Sequence, residues 1–237
     1  KKVAPYIKRI ITPSKSSKQG IVDEFNCNKA NITVINNGID TNEFSPVNEV
    51  TRNEFRLITT ASADVPLKGL DFSLKALKKL KKDFPNMHLI VIGLIKKGGH
   101  TEKLIKKLGL ENDVTFKSNL TKNEIKDCYS KSSIAIVSSL YEGFGYPVIE
   151  AMSCEVPLIA TNVSSIPELT SEFAKLVDPK NEEMIYQSVK DILAEYDKYK
   201  KIAIKGRQHV IKNFNWIKIT GEYENAIFET IKNFKKC

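Results

Sequence analysis

Short runs of β-branched and apolar residues alternate with helical patterns along nearly the whole of this 237-residue chain. Beyond residue 50 the strand-like runs are 55–60, 87–93, 114–117, 134–138, 157–161 and the short run 175–177. Such alternation is typical of parallel sheets whose strands are joined by crossover helices. The sequence therefore predicts an α/β fold with a Rossmann-like parallel sheet. Sheets of this kind bind ligands beyond the carboxyl ends of their strands.

The first 52 residues form a separate series of strand and helix patterns. Residues 9–12, 16–25 and 31–35 read as strand, helix and strand, and the polar stretch 40–52 has no clear period. We interpret that stretch as a linker, with a boundary near residue 50. The chain begins Lys1-Lys2-Val3 without an initiator methionine, which suggests a fragment of a longer protein or a trimmed one.

The formal net charge of +9 admits three kinds of partner: nucleic acid, an anionic membrane surface, or anionic small substrates. In residues 70–84 the leucines form one helical stripe and the lysines fall off it, which favours a solvated basic face. No RNP-like aromatic pattern, zinc-finger spacing or helix-turn-helix pattern supports nucleic-acid binding. Weak peripheral contact with an anionic membrane stays open.

Cysteine usage and hydropathy indicate the compartment. No run approaches the roughly 18 apolar residues that span a bilayer. The cysteines are far apart and none lies in a CxxC pair or beside a histidine at metal-ligand spacing (Cys27, Cys128, Cys154 and Cys237). A reduced, cytoplasmic location is therefore expected, with membrane-peripheral attachment as the alternative.

A loop with two glycines and two glutamates follows the run 134–138. Gly143 and Gly145 allow backbone amides to approach a ligand, and Pro147 suits the first turn of a helix. The free amides and the dipole at that helix start would suit a phosphate. Glu142 and Glu150 bracket the site, and carboxylates accept hydrogen bonds from hydroxyl pairs such as those of a ribose or hexose. The residues alone also allow a plain glycine turn with two solvated glutamates.

The wider segment 142–161 resembles the signature region of family-4 glycosyltransferases, which are retaining enzymes of GT-B fold with a Glu-x7-Glu motif. Further resemblances occur in the family's order: the strand and turn at 34–40, Lys68-Gly69, Ile166-Pro167-Glu168 and Phe214-Asn215-Trp216. The resemblance implies the C-terminal, donor-binding half of a GT-B enzyme with a partial first domain. It divides the chain into residues 1–48, the end of the N-terminal domain; 49–214, the nucleotide-sugar domain; and 215–237, a helix crossing back.

The resemblance also implies roles for individual residues. Glu142 and Lys68 would be catalytic, with Glu142 beside the transferred sugar and Lys68 neutralising the diphosphate. The donor-binding residues would be Glu150 on the ribose, the backbone of Gly143, Phe144 and Gly145, Ser62, and Gly93 in a loop at the same sheet edge. Ser62 stands where the family usually has an arginine, so phosphate binding is expected to depend more on Lys68 and the helix dipole.

The expected function is transfer of a sugar from a nucleoside-diphosphate sugar to a glycan, lipid or small-molecule acceptor, with retention of configuration. No metal or further cofactor is expected, since no Asp-x-Asp occurs. Because most of the acceptor-side domain would be missing, we expect the chain alone to bind donor weakly and transfer poorly. A non-catalytic nucleotide-sugar-binding module is the alternative that Ser62 favours. An NAD-binding protein is disfavoured because no GxGxxG follows an early strand.

The histidines are weaker candidates. His88 lies in an apolar strand and is expected to be structural. His100 could line the site, although a plain loop histidine is favoured. His209 is expected at the surface of a lysine-rich helix.

Overall fold

The computed structural model describes residues 3–47, 50–62 and 64–234. Its strands form a two-stranded and a six-stranded sheet, and every neighbouring pair is parallel. The strands are β1 Ile10–Thr12, β2 Ile32–Val34, β3 Asn53–Thr60, β4 His88–Ile92, β5 Val114–Lys117, β6 Ser132–Val137, β7 Leu158–Thr161 and β8 Lys175–Val177. The predicted parallel α/β sheet is confirmed. The predicted boundary at residues 48 and 49 lies outside the described residues.

The larger sheet has the strand order β5-β4-β3-β6-β7-β8. The chain builds outwards from β3 to β5, then returns to the other side of β3 and builds outwards from β6 to β8. The order therefore reverses between β3 and β6. Crevices outside the carboxyl ends of strands at such a reversal are the usual ligand sites of open parallel sheets. The loops that follow β3 and β6 leave the sheet at this point.

The helices are α1 Lys15–Phe25, α2 Leu70–Asp83, α3 His100–Leu108, α4 Lys122–Ser130, α5 Tyr146–Ser153, α6 Ile166–Thr170, α7 Glu182–Ala194, α8 Tyr196–Phe214 and α9 Trp216–Phe234. Helices α1 and α9 pack with the smaller sheet, and the others cover both faces of the larger one. Helices α2, α3 and α7 share one core with the strands, and α4, α5, α6 and α8 share the other. Neighbouring strand residues such as Leu57 and Ile58 belong to opposite cores, as the two-residue period of a strand requires.

Local sequence signals explain several helix boundaries. In α2 the stripe Leu70, Leu74 and Leu77 is buried, as its spacing predicts. Helix α4 starts with the predicted capping box, in which Thr121 and Glu124 each bond the other's backbone amide. Gly109 ends α3 in the left-handed conformation with a φ of 64°, the predicted glycine cap.

The first unit, β1-α1-β2, packs against helix α9 and the loop after β6. Ile35, Ile219 and Ala226 form a small buried cluster, and Arg9 pairs with Glu229 at 2.9 Å. At the other end of the unit, Glu168 of α6 accepts hydrogen bonds from the first backbone amides of α1. These contacts fix the start of α1 beside the carboxyl edge of the larger sheet.

The surface location expected for His209 is wrong. Its ring lies 5.3 Å from the ring of Phe173 and 5.6 Å from that of Phe214, and burial lowers its pKa. Helix α8 packs this side against α5, so the histidine belongs to the apolar side of a helix whose lysines face away. His88 bonds Thr115 on the neighbouring strand at 2.8 Å, the structural role expected of it.

Candidate functional site

An ion pair between Lys68 and Glu142 joins the loops that follow β3 and β6. The Lys68 ammonium lies 2.7 Å from Glu142 Oε1, and the Ser139 hydroxyl donates to the same oxygen at 2.7 Å. Glu142 is 9% exposed, so its charge is held inside the protein by these two donors. The two residues that the resemblance marks as catalytic are thus in direct contact, although 74 positions separate them in the sequence.

Gly69 makes this contact possible. It follows the short 3-10 turn Pro66–Lys68 and has a φ of +61°, where a side chain is disfavoured. A Cβ at this position would lie 2.0 Å from the carbonyl oxygen of Ser138, the residue after β6. The turn therefore presses directly onto the end of β6 and carries Lys68 to the Glu142 loop.

Serine hydroxyls fix the loop that contains the two glycines. Ser14 and Ser17 donate to the carbonyl of Gly143 at 2.8 and 3.0 Å, and Ser165 donates to the carbonyls of Glu142 and Phe144 at 2.8 and 2.5 Å. The ring of Phe144 is buried against Phe214. The side chain of Phe144 is therefore not available to a ligand, and a donor contact through its backbone stays a prediction.

Helix α5 begins immediately after this loop with no side-chain cap. Its N-cap residue, Gly145, has a φ of 111°, and Pro147 occupies the first turn. Pro147 has no backbone N–H and the Val148 amide donates to the Gly145 carbonyl at 3.0 Å, so the amides that can serve a ligand here are those of Gly145 and Tyr146. The helix dipole adds positive potential at this point. The start of α5 is thus suited to a phosphate, with Glu142 on one side of it.

Glu150 lies about one turn into α5, on the side of the helix start opposite to Glu142. Its Oε2 accepts a hydrogen bond from the phenol of Tyr129 at 3.1 Å, and burial raises the pKa of the carboxyl group. Glu150 lines a cleft of about 370 Å³ whose walls also include Lys122, Ile125 and Trp216. A cleft of this volume is large enough for a nucleoside.

Ser62 and Gly93 lie at the same sheet edge. Ser62 is exposed in the loop after β3. A Cβ on Gly93 would lie 2.2 Å from the carbonyl oxygen of Ala61, so close packing of the two loops requires glycine there. The structure thus gives Gly93 a packing role, and its contact with a donor stays a prediction.

His100 lies at the rim of a second cavity, also of about 370 Å³, beyond Lys68. Its Nε2 lies 2.7 Å from Asp71 Oδ2 at the start of α2, and the cavity walls include Val65, Leu70 and Leu140. The histidine therefore faces a cavity near the carboxyl edge of the sheet, while its bonding partner is the Asp71 carboxylate.

Among the described residues, no three His, Cys, Asp or Glu side chains are grouped as metal ligands would be. None of the helices described is long and apolar enough to cross a membrane.

The site contains polar residues that the sequence did not reveal. Tyr129, Ser139 and Ser165 each bond a residue of the Glu142–Glu150 segment. Tyr129 falls on an amphipathic helix, where an aromatic residue reads as ordinary core. Ser139 and Ser165 stand in loops where serine is common. Only the folded arrangement connects them to the glutamates.

Known proteins resemble this chain in sequence and in fold. The family described as Glycosyl transferases group 1 matches residues 42–209. The MMP alpha-(1->4)-mannosyltransferase of Mycolicibacterium hassiacum is 31% identical over 234 residues, which cover 96% of this chain and 56% of that protein. A glycosyltransferase from Rickettsia africae has a TM-score of 0.83 at 25% identity, covering 97% of this chain and 65% of that one.

A third protein shares the fold at lower identity. Anabaena Alr3699/HepE, solved in complex with UDP-glucose, has a TM-score of 0.84 at 18% identity, with 96% of this chain and 65% of that one covered. The chain spans about half the length of the curated relatives it matches, from 51% to 59% for three of them. From the family match and the parallel sheet that it shares with these structures, we conclude that the chain belongs to the group 1 glycosyl transferases, with the α/β fold of GT-B enzymes.

Proposed function

We propose that this chain forms the donor site of a retaining glycosyltransferase, which moves a sugar from a nucleoside-diphosphate sugar to a glycan, lipid or small-molecule acceptor. The observation that carries the proposal is the arrangement around α5. An anion-binding helix start lies between the Lys68–Glu142 pair on one side and the Glu150 cleft on the other. A nucleotide sugar has the matching order of groups: sugar, diphosphate and ribose.

Each part of the donor has a partner in this arrangement. The diphosphate would lie at the start of α5, and Lys68 would turn from Glu142 towards it. A cation there stabilises the charge that grows on the leaving diphosphate. Glu142, released from Lys68, would accept hydrogen bonds from the transferred sugar. Glu150 would accept them from the ribose hydroxyls. The leaving diphosphate would help to activate the acceptor hydroxyl, so no side-chain nucleophile is required.

The relatives support a sugar nucleotide as the donor. A protein of the same fold was solved with UDP-glucose, and relatives from Mycolicibacterium and Salmonella are named as mannosyltransferases. We propose a hexose as the transferred sugar and no requirement for a metal. The roles of Gly143, Gly145 and Ser62 as donor contacts belong to the same proposal.

Peripheral contact with an anionic membrane remains part of the proposal. Lys78 and Lys82 are exposed on α2, and Lys106 and Lys107 end the adjacent helix α3. Clustered lysines attract anionic surfaces, although such faces are more often simply solvated. A cytoplasmic protein would meet such a surface on the inner side of the cell membrane.

Turnover in the natural-length protein tests the proposal. Glu142→Gln and Glu150→Gln should each reduce sugar transfer at least about 100-fold, the loss typical of removing a group that acts in the transition state. Glu54→Gln is the matched control, because Glu54 is exposed at the opposite end of β3 and should leave the rate unchanged. Normal transfer by both site variants would refute the assignment. Donor binding without transfer or hydrolysis by the wild type would favour the non-catalytic binding module.

A further inference from the structure

Tyr129 joins the end of β3 to Glu150 through a buried chain of hydrogen bonds. Its side chain is 1% exposed, and its phenol oxygen lies 3.1 Å from Thr60 Oγ1 and 3.1 Å from Glu150 Oε2. An ionised carboxylate can only accept, so the phenol donates to Glu150 and accepts from Thr60. Both hydrogen bonds of the series Thr60-Tyr129-Glu150 thus have a defined donor and acceptor.

The donor and acceptor roles in these two hydrogen bonds do not change at neutral pH. Burial raises the pKa of the Tyr129 phenol well above its usual value, so the phenol keeps its proton. The hydrogen bond from Tyr129 lowers the pKa of Glu150 and opposes the rise caused by burial. The phenol therefore favours the charged form of Glu150, which is the form that accepts two hydroxyl groups.

The contact also fixes where the carboxylate points. In the described part of the chain, the bond from Tyr129 is the one hydrogen bond found to the Glu150 side chain. One carboxylate oxygen is held by the phenol, and the residue as a whole lines the cleft beside the linker. A carboxylate held at one oxygen needs little reorganisation to accept hydrogen bonds with the other.

We infer that Tyr129 is a positioning residue for nucleotide recognition: it holds one oxygen of the Glu150 carboxylate, so that the carboxylate is oriented to accept hydrogen bonds from the ribose hydroxyls. This inference rests on the proposed function, because it assumes that a ribonucleotide occupies the Glu150 cleft. Tyr129 itself need not touch the nucleotide. Its effect should appear only for ligands that carry ribose hydroxyls.

That restriction separates positioning from a general structural role. The experiment measures, by isothermal titration calorimetry, the affinity of the chain for UDP and GDP and for the 2′,3′-dideoxy analogue of each. The wild type should prefer at least one ribonucleotide over its dideoxy analogue. Tyr129→Phe, which removes one oxygen atom, should weaken binding of that ribonucleotide about 5–10-fold and leave the affinity for the dideoxy analogue within about 2-fold. A 5–10-fold loss corresponds to about 1–1.4 kcal/mol, the typical net contribution of one hydrogen bond.

Two further variants make the comparison secure. Tyr196→Phe removes a phenol that bonds the carbonyl of Ser133, at the start of β6 and away from the cleft, and should leave all affinities unchanged. Thr60→Val removes the other end of the hydrogen-bond chain and should reduce the ribose preference by a smaller factor. Thr60→Val therefore tests the hydrogen-bond series independently if a thermal melt shows that Tyr129→Phe is poorly folded.

The outcomes distinguish this inference from the proposed function. If the wild type binds neither ribonucleotide better than its dideoxy analogue, the proposed ribose site fails and this inference fails with it. If the wild type shows the preference and both Tyr129→Phe and Thr60→Val retain it, the positioning role alone is overturned. A parallel loss for ribonucleotide and dideoxy analogue in Tyr129→Phe would also overturn it, since that is the signature of a disturbed fold.

Discussion

Breaking the Lys68–Glu142 pair should destabilise the fold as well as the chemistry. Lys68→Met keeps the length of the side chain but leaves the Glu142 carboxylate, 10% exposed, with Ser139 as its remaining donor. Removing one partner of a fully buried pair costs about 3–5 kcal/mol, whereas exposed pairs contribute about 0–1 kcal/mol. Because the Lys68 side chain is 31% exposed, we expect an intermediate loss of about 2 kcal/mol.

A double-mutant cycle isolates this term. Glu142→Gln removes the charge and keeps an acceptor for Ser139, so Lys68→Met should cost much less in the Glu142→Gln background. The expected coupling energy is about 1–2 kcal/mol. Urea unfolding of the four proteins measures it, provided that the slope with denaturant stays constant. In a thermal melt, Lys68→Met alone should lower the Tm by about 4–8 °C.

An exposed ion pair between α2 and α7 supplies the control cycle. Lys79 and Glu183 lie 2.7 Å apart with side chains 40% and 63% exposed. Their coupling in Lys79→Met and Glu183→Gln should be below about 0.5 kcal/mol. A Lys68–Glu142 coupling energy as small as that of the control pair would mean that water already screens Glu142, and the buried-pair interpretation would be wrong.

Three further predictions follow from particular contacts. Gly69→Ala should lower the free energy of unfolding in urea by at least about 2 kcal/mol, because the added Cβ meets the Ser138 carbonyl and φ is positive at this position. Gly221→Ala is the control: it lies in open space on α9, and it should raise the free energy of unfolding by about 0.5–1 kcal/mol. Burial raises the pKa of Glu150 in the folded state, so the folded state binds more protons than the unfolded state, and the stability of the fold falls as pH rises above the unfolded pKa. Glu150→Gln should therefore be more stable than the wild type at pH 7 and lose that advantage at acidic pH. Thermal melts at several pH values measure the difference. Arg207→Met should lower the free energy of unfolding by about 2–3 kcal/mol and speed proteolysis near residue 47, because the guanidinium donates to the carbonyls of Thr41, Phe44 and Ser153. Protease resistance equal to that of the wild type would contradict this prediction.

Features that depend on neighbouring residues in the sequence were predictable. The leucine stripe of α2, the capping box of α4 and the glycine that ends α3 each follow from residues within a turn or two. The parallel sheet followed from the alternation of strand and helix patterns. The start of α5 was also predictable, because Gly145 and Pro147 are themselves the local signal for a glycine loop that enters a helix.

Features that depend on packing between distant elements were not predictable. Lys68 was marked only through a family resemblance, and its contact with Glu142 arises because Gly69 lets a turn reach the end of β6. Tyr129 and Glu150 meet because α4 and α5 pack on the same sheet face. His209 was misplaced for a related reason: the lysines around it indicate a surface helix, but only one side of α8 faces water.

A thermal-shift panel of UDP-, GDP- and ADP-sugars measures whether the Glu142–Glu150 segment binds a nucleotide sugar. A donor present at 100 times its dissociation constant should stabilise the chain by about 2.7 kcal/mol and raise the Tm by about 5–10 °C. At least one donor should do so for the wild type, and the same donor should give a much smaller shift with Glu150→Gln. No shift with any of the donors, or an equal shift with Glu150→Gln, would contradict the account.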